Sequence, residues 1–427
     1  MHLHRTGAIV AAAALVVTTF SPGSASAHER GRNPLKKIDH IVVIYQENHS
    51  FDNLYGGWER VNGLRNADPA HTVQVNAAGT PLTCLPQNDL NLSSPSPLPT
   101  TCVDTTTGTP LQSAFTNAPF DISDYIAPTD STCPAKGVSA PNGVLKDSPG
   151  STPGGCTRDL VHRYYQEQYQ INGGMMNRYT TGSDAIGLTQ GHYDTRSLPI
   201  YRYLHGRHAP RYVIADSFFQ AAFGGSFLNH QWLVTAATPE FYDADSSGTA
   251  TDLHSIIGAD GSPANYPLHP TTGLKDGALT VDFAPDGSCP APAQVCGDWA
   301  VNTIQPPYQP FAPGTAAARQ LPPQNGATIG DRLTEAGVSW AWYSGGWSNA
   351  NGDVGGPGWT NGDTPGVCAD PDAFATAVWP NCPDKLFQFH HQPLNYYASF
   401  APGTTQRAEH LRDEVEFIDR AETATLP

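Results

Sequence analysis

Three stretches of the chain pass from apolar into polar residues within a few positions. Residues 38 to 44, Ile-Asp-His-Ile-Val-Val-Ile, are almost continuously apolar and β-branched, and Tyr45, Gln46, Glu47, Asn48, His49 and Ser50 follow at once. This pattern predicts a strand buried on both faces of a parallel sheet, because a strand covered by helices on both sides has no polar face to alternate with. Tyr212-Val213-Ile214-Ala215-Asp216 repeats the transition, and Val338 to Tyr343 gives a third case, preceded by a helix predicted over about Ile329 to Ala336. Thr328 and Asp331 stand at capping-box spacing, and Gly337 falls where a left-handed C′ residue would end that helix. Helix followed by strand argues for an α/β fold with a central, mostly parallel sheet sandwiched by helices. Ligands of such sheets bind beyond the carboxyl ends of the strands, which places Glu47 and Asn48 where chemistry is expected.

Helical character also follows Ser226, in Ser226-Phe227-Leu228-Asn229-His230-Gln231-Trp232. It opens again after Asp159-Leu160-Val161-His162, where Tyr165, Tyr169 and Met175 form the predicted packing face. Residues 408 to 424 read as a helix with Leu411, Val415 and Ile418 on one side. Residues 66 to 157 and 238 to 325 lack clear periodicity and are rich in Pro, Ser, Thr, Gly and Asn, so they read as long loop insertions in one domain. Eight cysteines suggest that disulfides pin them, with local pairs Cys84/Cys102, Cys133/Cys156, Cys289/Cys296 and Cys368/Cys382 as one possible connectivity. None forms a Cys-x-x-Cys pair, so the thiols read as structural rather than metal-binding.

Oxidised cysteines need an oxidising compartment, and the first 27 residues supply a route to one. Arg5, an apolar stretch from Ala8 to Phe20 and Ala25-Ser26-Ala27 have the layout of a cleaved export signal, so residues 28–427 are expected as a secreted mature domain. The apolar stretch is too short to cross a bilayer, which takes about 20 residues, and no later run is long enough. The formal net charge of -16 argues against a nucleic-acid partner, whose phosphates are bound by Lys and Arg. Such a chain also repels small phosphate anions at long range, so a phosphate-ester site would need a strong local cation, which a bound metal supplies.

Glu47 and Asn48 offer a carboxylate and a carbonyl oxygen suited to a divalent cation of unknown identity, although a solvated turn would use the same residues. Gly224 and Gly225 let the backbone turn sharply and approach a ligand, and Ser226 stands where a helix N-terminus attracts an anion. An ordinary N-cap would look the same. His230 lies four residues on, on the same helix face, and could equally pack internally. His162 could donate to a substrate oxygen, and the neighbours His390 and His391 could bind a phosphate or a metal. The chain has no Gly-x-Ser-x-Gly elbow, Walker lysine motif, Gly-x-Gly-x-x-Gly or His-Glu-x-x-His, which removes lipase-type hydrolases, P-loop enzymes, dinucleotide dehydrogenases and zincin proteases.

Taken together, IDHIVVIYQENHSFDNLYG, the His162 segment running to INGGMMNRY, GGSFLNHQWLV and FHHQPLNYY resemble successive blocks of the phosphoesterase family that includes bacterial acid phosphatases and phospholipases C. The resemblance implies an alkaline phosphatase-like α/β sandwich and hydrolysis of a phosphate ester, either a small monoester or a phospholipid head group. It implies a divalent metal held by Glu47, Asn48 and Ser226. Ser226 is the implied nucleophile, and His162, His390 and His391 contact the phosphate or protonate the leaving group; no role carries over to His230. The family's later acidic pair and following histidine have no counterpart between His391 and Pro427, so the expectation is a chain that lacks its C-terminal segment. A reading from another class is a secreted metal- or surface-binding protein that keeps the scaffold without turnover.

Overall fold

In the computed structural model, the described residues are 38–47, 49–86, 100–108, 110–123, 162–183, 186–241, 297–301, 304–362, 364–369, 376–384 and 387–427, with short strands at 256–257, 274–275 and 279–281. The chain divides into two units, Met1–Ile44 and Tyr45–Pro427. Within the first, residues 38–44 adopt neither helix nor strand, and Ile41, Val43 and Ile44 are 74–82% exposed. The buried strand predicted there is therefore not formed: apolar patterning reports what a segment could bury, not whether a partner covers it.

The second unit carries nine helices and ten short strands among its described residues. The helices are α1 (Phe51–Leu54), α2 (Pro69–Thr72), α3 (Tyr164–Ile171), α4 (Pro199–Leu204), α5 (Ser226–Thr235), α6 (Ile329–Glu335), α7 (Trp347–Asn351), α8 (Thr405–His410) and α9 (Glu414–Glu422). The strands are β1 (Cys102–Asp104), β2 (Leu111–Ser113), β3 (Phe120–Asp121), β4 (Gly191–His192), β5 (Ile256–Ile257), β6 (Leu274–Lys275), β7 (Leu279–Val281), β8 (Gly297–Trp299), β9 (Trp342–Ser344) and β10 (Leu411–Asp413). They pair in twos: β3 with β4 and β9 with β10 run parallel, and the other three pairs are antiparallel. Mixed helices and small parallel sheets are compatible with α/β, but no large central sheet occurs among the described residues. The strand predicted at 212–216 is absent too, with Val213 92% exposed, while Asp216 accepts a hydrogen bond from the Asn62 backbone N–H at 2.8 Å.

Local signals fared better where hydrogen bonds close within a few residues. α6 starts on the expected capping box: Asp331 N–H donates to Thr328 Oγ1 at 3.1 Å, the Asp331 carboxylate accepts from Thr328 N–H at 2.7 Å, and Gly337 is left-handed after the helix. The C-terminal helix is interrupted. Leu411 to Asp413 leave α8 as a strand in register with Trp342 to Ser344, and Asp413 caps α9 by accepting from Val415 N–H at 3.0 Å. Leu411 is buried there, whereas Val415 and Ile418 face solvent. On α3 the buried positions are Gln166 and Gln170, four apart, while Met175 is exposed beyond the helix.

The main core gathers Phe227, Leu228 and Val234 of α5 with Trp347, Phe387, Phe389, Leu394, Tyr396, Phe400 and Leu411. Ala300, Val301, Ile304 and Leu321 join it, so part of the second stretch read as a loop insertion supplies core. Phe227 and Tyr396 rings lie 5.5 Å apart, and α5 packs on the 3₁₀ turns at Phe389–His391 and Pro393–Tyr396. This packing carries two histidines to one place. Disulfides join Cys84 to Cys102 and Cys368 to Cys382, as expected; Cys133, Cys156, Cys289 and Cys296 lie outside the described residues.

Candidate active site

Ser226 is the first residue of α5, with Gly225 as its cap, so the first-turn N–H groups of that helix receive no side-chain cap. Gly224 has φ +125°, a conformation L side chains rarely adopt, and a Cβ on Gly225 would lie 2.6 Å from the His162 carbonyl oxygen. Both glycines are thus required by backbone geometry and by close approach. The turn points Ser226 Oγ at Glu47, to which it donates a 2.9 Å hydrogen bond.

One helical turn later, His230 comes back beneath the serine, its Nδ1 2.7 Å from the Ser226 carbonyl oxygen. A carbonyl only accepts, so Nδ1 carries the proton and Nε2 keeps its lone pair. The His391 ring stacks on His230 at 4.5 Å, with 6° between planes, and its Nε2 stands 2.8 Å from Glu47 Oε1. The 2.8 Å approach puts the ring nitrogen within reach of the carboxylate, although the angle falls short of a well-directed hydrogen bond. Tyr45 meets His230 edge-on at 4.8 Å and donates to Gln220 at 3.2 Å. His390 is perpendicular to His391 at 4.4 Å.

The electrostatics follow from crowding these groups into a half-buried space. Burial alone would push the Glu47 carboxyl up, but the adjacent His391, then the Ser226 hydroxyl and His230, bring it down to about 2. Burial and the neighbouring His391 lower His230 to about 4 and His390 to about 3, so both rings are neutral at physiological pH. A neutral imidazole is the ligating form.

Glu47, His230 and His391 each present a donor atom within 4.8 Å of the others, the one such group among the described residues. A carboxylate with two imidazoles suits a borderline divalent cation such as zinc, and a cation shared between His391 Nε2 and Glu47 would satisfy both groups where their direct contact is poorly directed. The residues present fit a metal.

Of the residues singled out from sequence, Glu47, Ser226 and His391 meet directly, and His390 flanks them. His162 packs its backbone against Gly225 and is close enough to act electrostatically on His390. Asn48 lies outside the described residues. His391, read as a group for a phosphate or a metal, stands beside Glu47 in the group that could hold a metal. Two members went unassigned in the sequence: Tyr45, for which no signal existed, and His230, whose i+4 spacing from Ser226 was the available clue.

The site thus gathers a serine at a helix N-terminus, a carboxylate that accepts its hydrogen bond, and two stacked imidazoles. The chain matches the model of the Phosphoesterase family over residues 38–427 and belongs to that family. Membership makes it, in general terms, a hydrolase of phosphate esters. No curated protein matches it.

Proposed function

We propose that the chain is a secreted, metal-dependent phosphoesterase of the acid phosphatase or phospholipase C type that works through Ser226 and a phosphoserine intermediate. The observation that carries this reading is the Ser226 Oγ hydrogen bond to Glu47 at the start of α5, with His230 and His391 alongside. The free N–H groups of the α5 first turn receive phosphoryl oxygens and orient phosphorus toward Oγ.

Glu47 is a poor general base for the serine. A carboxylate held near pKa 2 binds a proton too weakly to take one from an alcohol at neutral pH, since base catalysis works best near the operating pH. Its better use is as an oxygen ligand that also orients Oγ. Asn48, implied as a further ligand by its place after Glu47, would add a carbonyl oxygen. A bound divalent cation would supply the positive charge that lowers the Ser226 hydroxyl pKa and offsets charge on the phosphoryl group.

Ser226 Oγ attacks phosphorus and gives up its proton as the P–O bond to the leaving group breaks, and the leaving oxygen takes a proton. Water then attacks the phosphoserine, its oxygen leaving with the released phosphate product and one of its protons returning to the Ser226 hydroxyl. His390, neutral down to about pH 3, contributes an N–H hydrogen bond to a phosphoryl oxygen and not an imidazolium proton. His162 is the remaining candidate for donation to the leaving oxygen. The order Arg5, apolar stretch and Ala25-Ser26-Ala27 supports export with cleavage after Ala27, and the two disulfides agree with it.

Hydrolysis of an activated aryl phosphate, followed during titration of a chelated preparation with divalent cations, tests the reading. Cation-dependent turnover that Ser226→Ala removes supports it. Turnover unaffected by chelator and by Ser226→Ala would place the chemistry at another active site, and no turnover with any divalent cation would replace the reading with the non-catalytic, metal- or surface-binding alternative.

A further inference from the structure

The turn that presents Ser226 is gripped from the outside by a residue so far without a role. We propose that Glu167 is a positioning residue whose side-chain oxygen fixes the Gly224 peptide and thereby the placement of the Ser226 hydroxyl. Glu167 lies one turn into α3, and its Oε2 accepts the Gly224 backbone N–H at 2.6 Å, across 57 residues of sequence. On the other side of the same residue, the Gly224 carbonyl accepts from Asn229 Nδ2 at 2.7 Å. Gly224 is therefore held at both its N–H and its C=O, in a backbone conformation reserved for glycine.

The next residue is held sterically. The His162 carbonyl, two residues before α3 begins, fills the space a Gly225 side chain would need. The start of α3 thus closes on Gly224 and Gly225 by two contacts of different kinds, one polar through Glu167 and one by packing through His162. Ser226 follows immediately, and a small rotation of the Gly224 peptide would swing its Oγ off Glu47. Reactions of this type lose about a hundredfold in rate for a displacement of about 1 Å.

The acceptor, not the charge, is what the geometry requires. Burial pushes the Glu167 carboxyl up to about 7, and both its neutral and ionised forms keep an oxygen that can accept the N–H. An amide keeps one as well.

This inference rests on Ser226 as the nucleophile, so the experiment carries a Ser226→Ala arm. Glu167→Gln, which keeps an acceptor, and Glu167→Met, which keeps the volume without one, are compared with the unaltered chain on an activated aryl phosphate. Folding is followed by circular dichroism and kcat and KM are measured separately. The expected result is a kcat for Glu167→Met lower by about a hundredfold, KM within about threefold, and Glu167→Gln recovering to within about fivefold of wild type. Equal kcat in Glu167→Met and wild type overturns the proposal, as does equal impairment of the Gln and Met variants. If Glu167→Met fails to fold, a Gln variant that folds but loses a hundredfold in kcat overturns it, and one near wild-type kcat upholds it. Full activity in Ser226→Ala would remove the nucleophile reading itself and would be seen independently of either Glu167 variant.

Discussion

At the residue scale, the site was legible where chemistry and spacing coincide. Ser226 after two glycines and Glu47 after an apolar run both drew notice in the sequence, and they meet at 2.9 Å. What spacing could not give is partnership: His391 touches a carboxylate 344 positions away, and nothing local announces that. Gly225→Ala tests the close approach directly. A methyl group 2.6 Å from the His162 carbonyl forces the turn apart, and kcat is expected to fall by about tenfold to a hundredfold with the helix content unchanged. Near wild-type kcat would mean that the contact is not needed to place Ser226.

Glu167 also gives a pH dependence with a definite sign. Its carboxyl is raised by burial, chiefly, from 4.5 to about 7, so between those values the folded chain binds more protons at this group than the unfolded chain does. The contribution to stability is therefore full below about pH 4.5 and is lost as pH rises through about 7. Glu167→Gln lacks this loss. Its melting temperature relative to wild type is expected to rise by a few degrees between pH 4.5 and pH 8. A constant difference across that range would show that the carboxyl titrates normally.

At the element scale, signals closed by short-range hydrogen bonds were read correctly and those that depend on distant partners were not. The α6 capping box and its terminal Gly337 involve residues three to nine apart and are present as expected. The segment 408 to 424 carries a helical pattern, yet Leu411 to Asp413 form β10, because pairing with β9 buries Leu411 and Asp413. On α3 the described buried positions are Gln166 and Gln170, while Met175, read as part of the packing face, is exposed. Thr328→Ala should remove the α6 cap and cost about 1 kcal/mol in a denaturant titration while leaving kcat unaltered. A loss of kcat without loss of stability would tie α6 to the site in a way the geometry does not.

At the scale of the whole molecule, the predicted class was partly legible and the architecture was not. Parallel pairing occurs at β3/β4 and β9/β10, but the runs at 38–44 and 212–216 form no strand, since hydrophobicity does not name a partner strand. What ties the distant segments together includes one buried cation. Arg407 donates to Asn395, the Phe400 carbonyl, the Gln309 carbonyl and Asn351, and it lies over the Trp347 ring at 4.9 Å. Arg407→Met should leave those acceptors unpaired and cost about 3 kcal/mol or more, measured by chemical denaturation. A change below about 0.5 kcal/mol would show that the segments hold without it.

The central claim is that Ser226 becomes covalently phosphorylated during turnover. Acid quenching of the chain in the presence of divalent cation and an activated aryl phosphate, followed by peptide mass spectrometry, measures this directly. The account predicts one added phosphoryl group on the peptide containing Ser226, absent from Ser226→Ala. Steady turnover with no phosphorylation at Ser226, or with phosphate on another residue, would contradict it.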